Sequence, residues 1–381
     1  MIKPGSEQEL AEAIASAPGQ LAVRGGGTRP VGNPVQGTVL SAGGLSGITL
    51  YEPEALTLVV AAGTPLADVE TLLAREGQRL AFEPMDHRGL LGTEGVPTIG
   101  GVVAANISGP RRVQAGACRD FLLGVRFIDG RGRVVKNGGR VMKNVTGYDL
   151  VKLMAGSRGT LGVLSEVSLK VMPMPETEAS LLVEGLEDAT AVEVMSRALG
   201  APWDVTGAAH LPCGLKGIPL TMLRLEGFAD SVAYRARALR DALALEEDIQ
   251  IESDPARSRA MWEALTDLAP FHGHEGDVWR ISVKPSDGPE VGARLEAKWP
   301  AGLVYDWGGG LVWALLPEGS DARPALAGIP GHARIERAAP ETRARLGAFP
   351  SEGAVADRLS RDLRARFDPR GILNPGLMEP R

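Results

Sequence analysis

Apolar residues along the first part of the chain recur alternately at helical and strand spacing. Ser6 opens a capping box with Glu9, after which Leu10, Ala13, Ile14 and Ala17 share a helical face until Pro18-Gly19 stops it. Leu21 to Arg24, Thr38 to Ser41 and Thr57 to Ala61 read as strands. Thr64 is placed to cap a second helix with Pro65 at its first position, Leu66, Val69, Leu72 and Leu73 on one face, and Gly77 at its end. Gly124 to Asp129 and Arg133 to Lys136 flank an Asp129-Gly130 turn and predict a hairpin. A short helix follows at Asp149 to Ala155. Val163, Ser165, Val167, Leu169 and Val171 then line one face of a strand that stops before Pro173.

The run Met172 to Pro175 marks a boundary. Beyond it glycine thins, helical patterns appear at Ala189 to Leu199 and Ser231 to Leu245, and strands recur at Val278 to Val283 and Leu311 to Leu316. This predicts a second, α+β domain. A last amphipathic helix spans Gly353 to Phe367 and is closed by Asp368-Pro369 and the turn Asn374-Pro375-Gly376.

Composition narrows the function classes. A chain of 381 residues with 44% hydrophobic and 23% charged residues is long enough for two globular domains and too apolar for a disordered one. The net charge of −6 gives no basic footprint for nucleic acid. The only cysteines, Cys118 and Cys213, are too few for an iron–sulfur cluster or a disulfide framework, so any cluster belongs to another chain. No metal site is expected. Met1-Ile2-Lys3-Pro4-Gly5 leads into a polar helix without an apolar signal core, and no run reaches the roughly 18 apolar residues of a membrane span. A cytoplasmic location is the expectation.

Glycine is densest between Gly25 and Gly162, where candidate chemistry concentrates. Arg24-Gly25-Gly26-Gly27-Thr28-Arg29 follows a strand; its glycines let backbone N–H groups face a pyrophosphate, with two arginines to offset the charge. The alternative is an ordinary flexible turn. Pro30 stands where G-x-G-x-x-G needs a glycine, which excludes a Rossmann site, and no P-loop occurs. Thr98-Ile99-Gly100-Gly101-Val102-Val103-Ala104-Ala105-Asn106 offers small residues against which a flat ligand can lie, or a tightly packed helix entry.

RGGGT, TIGG and AAN in this order resemble the FAD-binding domain of the vanillyl-alcohol-oxidase family. Gly116-x-x-Arg119-Asp120-x-x-Leu123-Gly124, Gly156 to Val163 and Phe367-Asp368-Pro369 to Asn374-Pro375-Gly376 are similar to three further motifs of that family. The resemblance implies an α+β fold: a PCMH-type FAD-binding domain of two subdomains over 1–173, an α+β cap domain over 174–352, and a C-terminal segment, 353–381, returning to the flavin domain. It implies that Gly25 to Arg29 and Thr98 hold the pyrophosphate region, that Ala105 and Asn106 line the cofactor channel, and that Gly159, Thr160, Leu161, Gly162 and Val163 run beside FAD. Thr28 and Val96-Pro97 stand where some members attach flavin through histidine or cysteine, so FAD is expected to be non-covalent and Cys118 to be a small buried residue.

Val141 to Asp149 is similar to the branch of glycolate oxidases and D-lactate dehydrogenases. The modest length, with Asp277-Val278-Trp279-Arg280 and Asp306-Trp307-Gly308-Gly309-Gly310, resembles the smaller, E-type flavin subunits of bacterial glycolate oxidases more than the larger, D-type ones. That resemblance implies a larger catalytic flavin subunit and an iron–sulfur subunit as partners, a small 2-hydroxy acid as the substrate of the complex, and membrane association through those partners.

Oxidising a 2-hydroxy acid requires a hydride acceptor, a cation for the carboxylate and a base for the hydroxyl proton. The H-x-G-D-G-N-x-H pattern of catalytic members is absent; His272-Gly273-His274-Glu275-Gly276-Asp277 has the residue types in another order and reads as a solvated loop. Arg280 stands in an apolar strand and needs an anionic partner, either a structural carboxylate or that of a substrate. Tyr148 reads either as flavin-adjacent or as a packed, hydrogen-bonded tyrosine. Lys143 beside Asn144 touches a phosphate or caps a turn. Trp203, Trp299, Trp307 and Trp313 are far enough apart in sequence to be read as packing residues. Three functions remain: a flavin subunit that takes part in turnover, an assembly subunit without turnover, and a stand-alone flavin oxidoreductase.

Overall fold

The computed structural model describes residues 1–140, 147–214 and 217–380, so the motif residues Val141 to Thr146, Lys143 and Asn144 among them, lie outside the described residues. The chain forms two compact units. One comprises Met1–Ser108, Gly116–Met174 and Ser351–Pro380; the other comprises Gly109–Ala115 and Pro175–Pro350. The short segment Gly109–Ala115, expected within the first domain, therefore belongs to the second unit.

In the first unit the helix Glu7–Ala15 starts at Ser6, whose hydroxyl accepts the Glu9 N–H at 3.2 Å, while the Glu9 carboxylate accepts the N–H of Gly5 rather than that of Ser6. Only half of the expected capping box forms. Leu10 and Ile14 pack in one cluster with Leu21, Leu40, Ile372 and Leu373. The strand Leu21–Arg24 pairs in parallel with Thr38–Ser41, and it is also held by the chain's end: Leu21 N–H donates to Ile372 O at 2.8 Å and Asn374 N–H to Leu21 O at 3.0 Å. Beside this pair, an antiparallel sheet runs in the order Ile48–Glu52, Thr57–Ala61, Val163–Lys170, Leu122–Ile128, Val134–Gly138. Its hairpin forms at Asp129, whose buried carboxylate accepts the N–H groups of Arg131 and Arg133.

One local expectation changes. Thr64 does not cap the helix Leu66–Arg75; its hydroxyl bonds Ala61 O at 2.8 Å, and Pro65 occupies the cap without a side-chain bond. The last helix, Ala354–Phe367, forms within the first unit, with Val355, Leu359 and Leu363 exposed.

The second unit is an eight-stranded antiparallel sheet in the order Ile249–Glu252, Thr177–Glu184, Leu220–Gly227, Val205–Leu211, Gly302–Asp306, Leu311–Leu316, Asp277–Val283, Gly331–Arg337. Alternation gives its two faces different chemistry. Leu181, Leu223, Ala208, Leu303, Val312, Trp279 and Ile335 lie on the face that packs with Ala191, Met195, Val232, Leu239, Val291 and Leu295 of the helices Asp188–Gly200, Ala229–Leu243 and Gly288–Glu296. The other face carries Glu178, Ser180, Arg224, Glu226, Arg280 and Arg334, paired by register as Glu178 with Glu226, Ser180 with Arg224, and Arg280 with both Trp313 and Arg334.

Charges on a sheet face must be matched or solvated. Arg111, from the segment Gly109–Ala115, forms a two-pronged pair with Glu226, Nε to Oε2 at 2.9 Å and Nη2 to Oε1 at 2.7 Å, with both side chains buried. Arg224 lies over the Trp262 ring, 4.6 Å from its centroid, and its Nε donates to Thr206 Oγ1. The Trp262 indole N–H in turn donates to Ser180 Oγ at 2.8 Å. Opposite Glu226, the Glu178 carboxyl is pushed up by burial.

Arg111→Met leaves the Glu226 carboxylate buried without this partner and is expected to destabilise the second unit by about 3–5 kcal/mol. Thermal unfolding followed by circular dichroism should show a lower midpoint, and Arg111→Met with Glu226→Leu should recover most of the loss. In the first unit, the Arg126 hydrogen bond is the main cause holding the Glu7 carboxyl below its usual range; burial opposes it and Ser165 assists. A depressed folded-state pKa stabilises above the unfolded value and loses that contribution as pH falls through the folded one. Acid unfolding of Glu7→Gln should therefore be less steep below about pH 4.5 than that of the wild type.

Candidate functional site: a glycine junction and an arginine row

Three segments of the first unit meet: the loop Arg24 to Arg29, the helix entry Thr98 to Asn106, and the turn Gly156 to Val163. Arg29 Nη1 donates to Gly101 O at 3.2 Å. Gly156 N–H reaches Val103 O, and Arg158 N–H reaches Ala104 O at 2.8 Å. Asn374 completes the junction, accepting the Val23 N–H at 2.7 Å through Oδ1 and donating to Arg158 O at 2.8 Å through Nδ2. The sequence marked Asn374 only as part of a turn and of the C-terminal family motif.

The glycines divide by what they face. A Cβ on Gly25 would stand 2.6 Å from Thr98 Oγ1, one on Gly26 would stand 1.5 Å from Val96 O, and one on Gly100 would meet Ala62 at 2.6 Å. A Cβ on Gly162 would stand 2.5 Å from the Phe127 ring. These four allow the protein to approach itself. Gly27 differs: its φ is +80°, and nothing lies within 4 Å of where its Cβ would be. Gly101 is nearly as open, with Thr98 Oγ1 alone nearby at 3.1 Å.

The polar groups sort in the same way. Thr98 caps the helix Ile99–Ala105 by accepting the Gly101 N–H. Asn106 closes that helix in the left-handed region at φ +50°, and its Oδ1 accepts the Arg119 N–H at 2.9 Å. Thr28 is buried, with its carbonyl taken by Thr93 Oγ1. Thr160 Oγ1 donates to Ser157 O, and Ala105, Leu161 and Val163 are buried. Gly159, at φ +73°, packs against Asn374 and Val23, whereas Arg24 is exposed. Ser157 stands out because its Oγ is buried and has no hydrogen-bond partner among the described residues. An open left-handed glycine and an orphaned hydroxyl in this junction suit the polar part of a dinucleotide. Cys118 is buried, and burial pushes its thiol far up, which makes it inert as an anchor.

The remaining candidates fall elsewhere. Tyr148 is 89% exposed, so the packed reading does not hold. His274 is exposed, and the His272 ring is bonded to Asp267 O at 2.8 Å. Among the described residues no cluster of histidine, cysteine and acidic residues has the makeup of a metal site.

Arg280, in the second unit, has no structural ion pair among the described residues. Its guanidinium instead lies over two indole rings, 4.9 Å from the Trp307 centroid and 5.6 Å from that of Trp313. These two tryptophans do pack, and on one arginine: Trp313 comes from the strand Leu311–Leu316 and Trp307 from the turn that precedes it. Trp203 and Trp299 are not part of the group; they pack on Tyr234 and under Lys298. Trp307 is itself held in the left-handed region at φ +54°, a conformation costing a bulky residue about 1–2 kcal/mol. Its N–H donates to Asp306 Oδ1 at 2.7 Å, its indole N–H donates to Gly109 O at 3.1 Å, and Arg112 lies 4.5 Å from its centroid. Burial first, and then Arg334 and Arg112 against the opposing Glu336 and Asp306, hold the Arg280 guanidinium down to about 9. It stays charged at neutral pH.

Comparison with known proteins identifies the family. The FAD binding domain family matches residues 1–138. The chain is 35% identical over 362 residues to glycolate oxidase subunit GlcE of Escherichia coli (strain K12), covering 94% of this chain and 92% of that one. The chain belongs to the GlcE family. It is also 31% identical over 210 residues to glycolate oxidase subunit GlcD of Bacillus subtilis (strain 168), an alignment covering 54% of this chain but 42% of that relative. A solved alkyldihydroxyacetonephosphate synthase shares the fold, with a TM-score of 0.69 at 17% identity over 98% of this chain and 76% of that one. The architecture is thus the PCMH-type FAD-binding fold with an α+β second unit, and the cofactor of this GlcE-family chain is FAD.

Gly26→Ala drives a methyl into Val96 O and is expected to abolish flavin retention in the purified chain. Ser157→Ala removes one hydrogen-bonding group and should weaken FAD about tenfold with little change in the thermal midpoint of flavin-free protein. Flavin absorbance after gel filtration checks both.

Proposed function

We propose that this chain is the FAD-binding subunit of a complex that oxidises glycolate or a closely related 2-hydroxy acid, passing electrons onward to partner subunits. The observation that carries this reading is the likeness to the E. coli GlcE subunit over nearly the full length of both chains. The junction of Gly27, Gly101 and Ser157 supports it by offering polar atoms and open backbone among the segments that resemble the family's FAD-binding motifs. The cofactor-binding set is Arg24 to Arg29, Thr98, Gly100, Gly101, Ala105, Asn106 and Gly159 to Val163, extended by Ser157. FAD is held non-covalently, since Thr28 and Val96-Pro97 supply no histidine or cysteine and the one nearby thiol, Cys118, is buried.

When bound, FAD supplies a hydride acceptor; the chain's own residues bind it and orient the acid. Among the weak catalytic candidates Arg280, His272, His274 and Tyr148, geometry favours Arg280 for the carboxylate. With one buried and one exposed cysteine, the iron–sulfur centres belong to a partner, as does the larger flavin subunit. No described helix is long and apolar enough to cross a membrane, so membrane association, where it occurs, runs through those partners in the cytoplasm. A second reading, an assembly subunit that holds FAD without turnover, is favoured by the missing H-x-G-D-G-N-x-H pattern.

Purification of the chain alone and together with its co-expressed partner subunits tests both. Flavin should co-purify with the chain and pass into the supernatant on acid precipitation. Anaerobic glycolate should bleach it in the assembled complex. A chain that takes up no FAD overturns the proposal, and flavin in this chain that stays oxidised within an active complex establishes the assembly role instead.

A further inference from the structure

A surface helix ordinarily turns its apolar side toward the body that carries it. The helix Ala354–Phe367 departs from that rule. Its partly covered residues, Ala356, Asp357, Ser360, Arg364 and Phe367, share one face at helical spacing and mark the side on which it rests. Val355, Leu359 and Leu363, spaced four apart, form a separate stripe that is 66%, 54% and 36% exposed. No residue of the helix is buried. At 14 residues it is near the length at which isolated helices are marginal in water, so tertiary contacts must hold it.

Those contacts lie at its two ends. Phe367 O accepts the Gly130 N–H at 2.9 Å, the Phe367 ring meets that of Phe127 with centroids 6.0 Å apart, and Arg131 Nη1 donates to Arg366 O at 3.3 Å. At the start, Asp357 Oδ1 accepts the Glu352 N–H at 3.1 Å and Asp357 Oδ2 accepts the Ser351 hydroxyl. The stripe takes part in neither anchor. It is displayed on a fixed helix roughly 20 Å long.

In a chain of net charge −6, the exposed side of this helix is cationic: it carries Arg358, Arg361 and Arg366 against Asp362. Arg358 and Arg366 stand three positions beyond Val355 and Leu363 and so border the stripe. Among the described residues none of these three arginines is held in an ion pair.

We infer that the stripe of Val355, Leu359 and Leu363, with its arginine border, is a docking surface for another subunit of the complex, one that offers an apolar groove edged by carboxylates. That the occupant is a subunit rests on the proposed function; its chemistry rests on the stripe and the charges. Guanidinium groups at the edge of an apolar strip pair carboxylates in two-pronged fashion while the strip excludes water. Two other occupants fit less well. A second copy would set one arginine border against another, and a pair of such helices alone falls short of the roughly 800 Å² per partner of a stable interface. A lipid surface holds a helix in proportion to the apolar area buried and the positive charge presented; three aliphatic side chains and a border interrupted by Asp362 offer little of either.

The test co-expresses the full-length chain with the larger flavin and iron–sulfur subunits, measures assembly by light scattering after gel filtration, and titrates the purified chain onto the purified partners. The wild type should form a defined complex whose affinity falls as sodium chloride rises from about 0.05 to 0.5 M. Leu359→Ser with Leu363→Ser should weaken it at least about tenfold. Arg358→Glu with Arg361→Glu and Arg366→Glu should do the same and flatten the salt dependence. Both variants should keep the wild-type flavin absorbance and circular dichroism; where the serine variant does not fold, the charge variant decides alone. Folded variants that assemble with wild-type affinity overturn the inference and leave the subunit reading standing. A wild-type chain that assembles with neither partner overturns both. A chain that dimerises by itself and is made monomeric by Leu359→Ser, or that binds vesicles of phosphatidylcholine and phosphatidylglycerol through the stripe, overturns the assigned occupant in favour of a second copy or a lipid surface.

Discussion

The buried ion pair between Arg111 and Glu226 governs the polar face of the eight-stranded sheet. A guanidinium and a carboxylate removed from water tolerate little displacement, because either one alone would be a buried charge. Fixing Arg111 fixes its chain neighbours as well. Gly109 O is thereby set to accept the Trp307 indole N–H, and Arg112 is set over the Trp307 ring. Trp307, held at a φ that its side chain disfavours, then backs Arg280. A seven-residue segment that belongs to the second unit although the first unit flanks it in sequence thus determines the surroundings of the strand arginine.

The first unit obeys a different constraint, the closeness of its own backbones. Most glycines in the motif-bearing loops are required because another part of the protein lies where a side chain would go: Val96 O beside Gly26, Ala62 beside Gly100, Phe127 beside Gly162. Glycine richness was read as access for a ligand, but access itself is confined to positions such as Gly27 and Gly101. The dense packing has a functional consequence. It locks the three segments together through main-chain bonds such as Arg158 N–H to Ala104 O, so the open positions are held rather than flexible.

What could be read from the sequence was local. The Asp129-Gly130 hairpin, the Ser6 cap and the alternating strand Val163–Lys170 depend on residues a few positions apart, and all three are present. The family motifs added the flavin fold. What could not be read depends on strand order: Trp313 and Arg334 meet Arg280 because the strands Leu311–Leu316 and Gly331–Arg337 flank Asp277–Val283, a neighbourhood that no periodicity encodes. Asn374 joins Val23 to Arg158 for the same kind of reason, across more than two hundred residues of chain. Thr64 failed as a cap because its hydroxyl is engaged by the preceding turn.

The histidine question shows how far electrostatics can outrun motif reading. His272 and His274 attracted attention through their spacing, yet the imidazole conditioned by the arginine row is His332, which stands in the strand Gly331–Arg337 two positions from Arg334. Burial first, and then Arg280, Arg334 and Arg112, lower its proton affinity below the ordinary value, so the ring is neutral at pH 7 and keeps a lone pair. The cations of this row, Arg280 among them, therefore help to hold His332 in its base form. In this sheet an arginine stacked on two indoles and an imidazole of lowered proton affinity are thus set by one charge distribution.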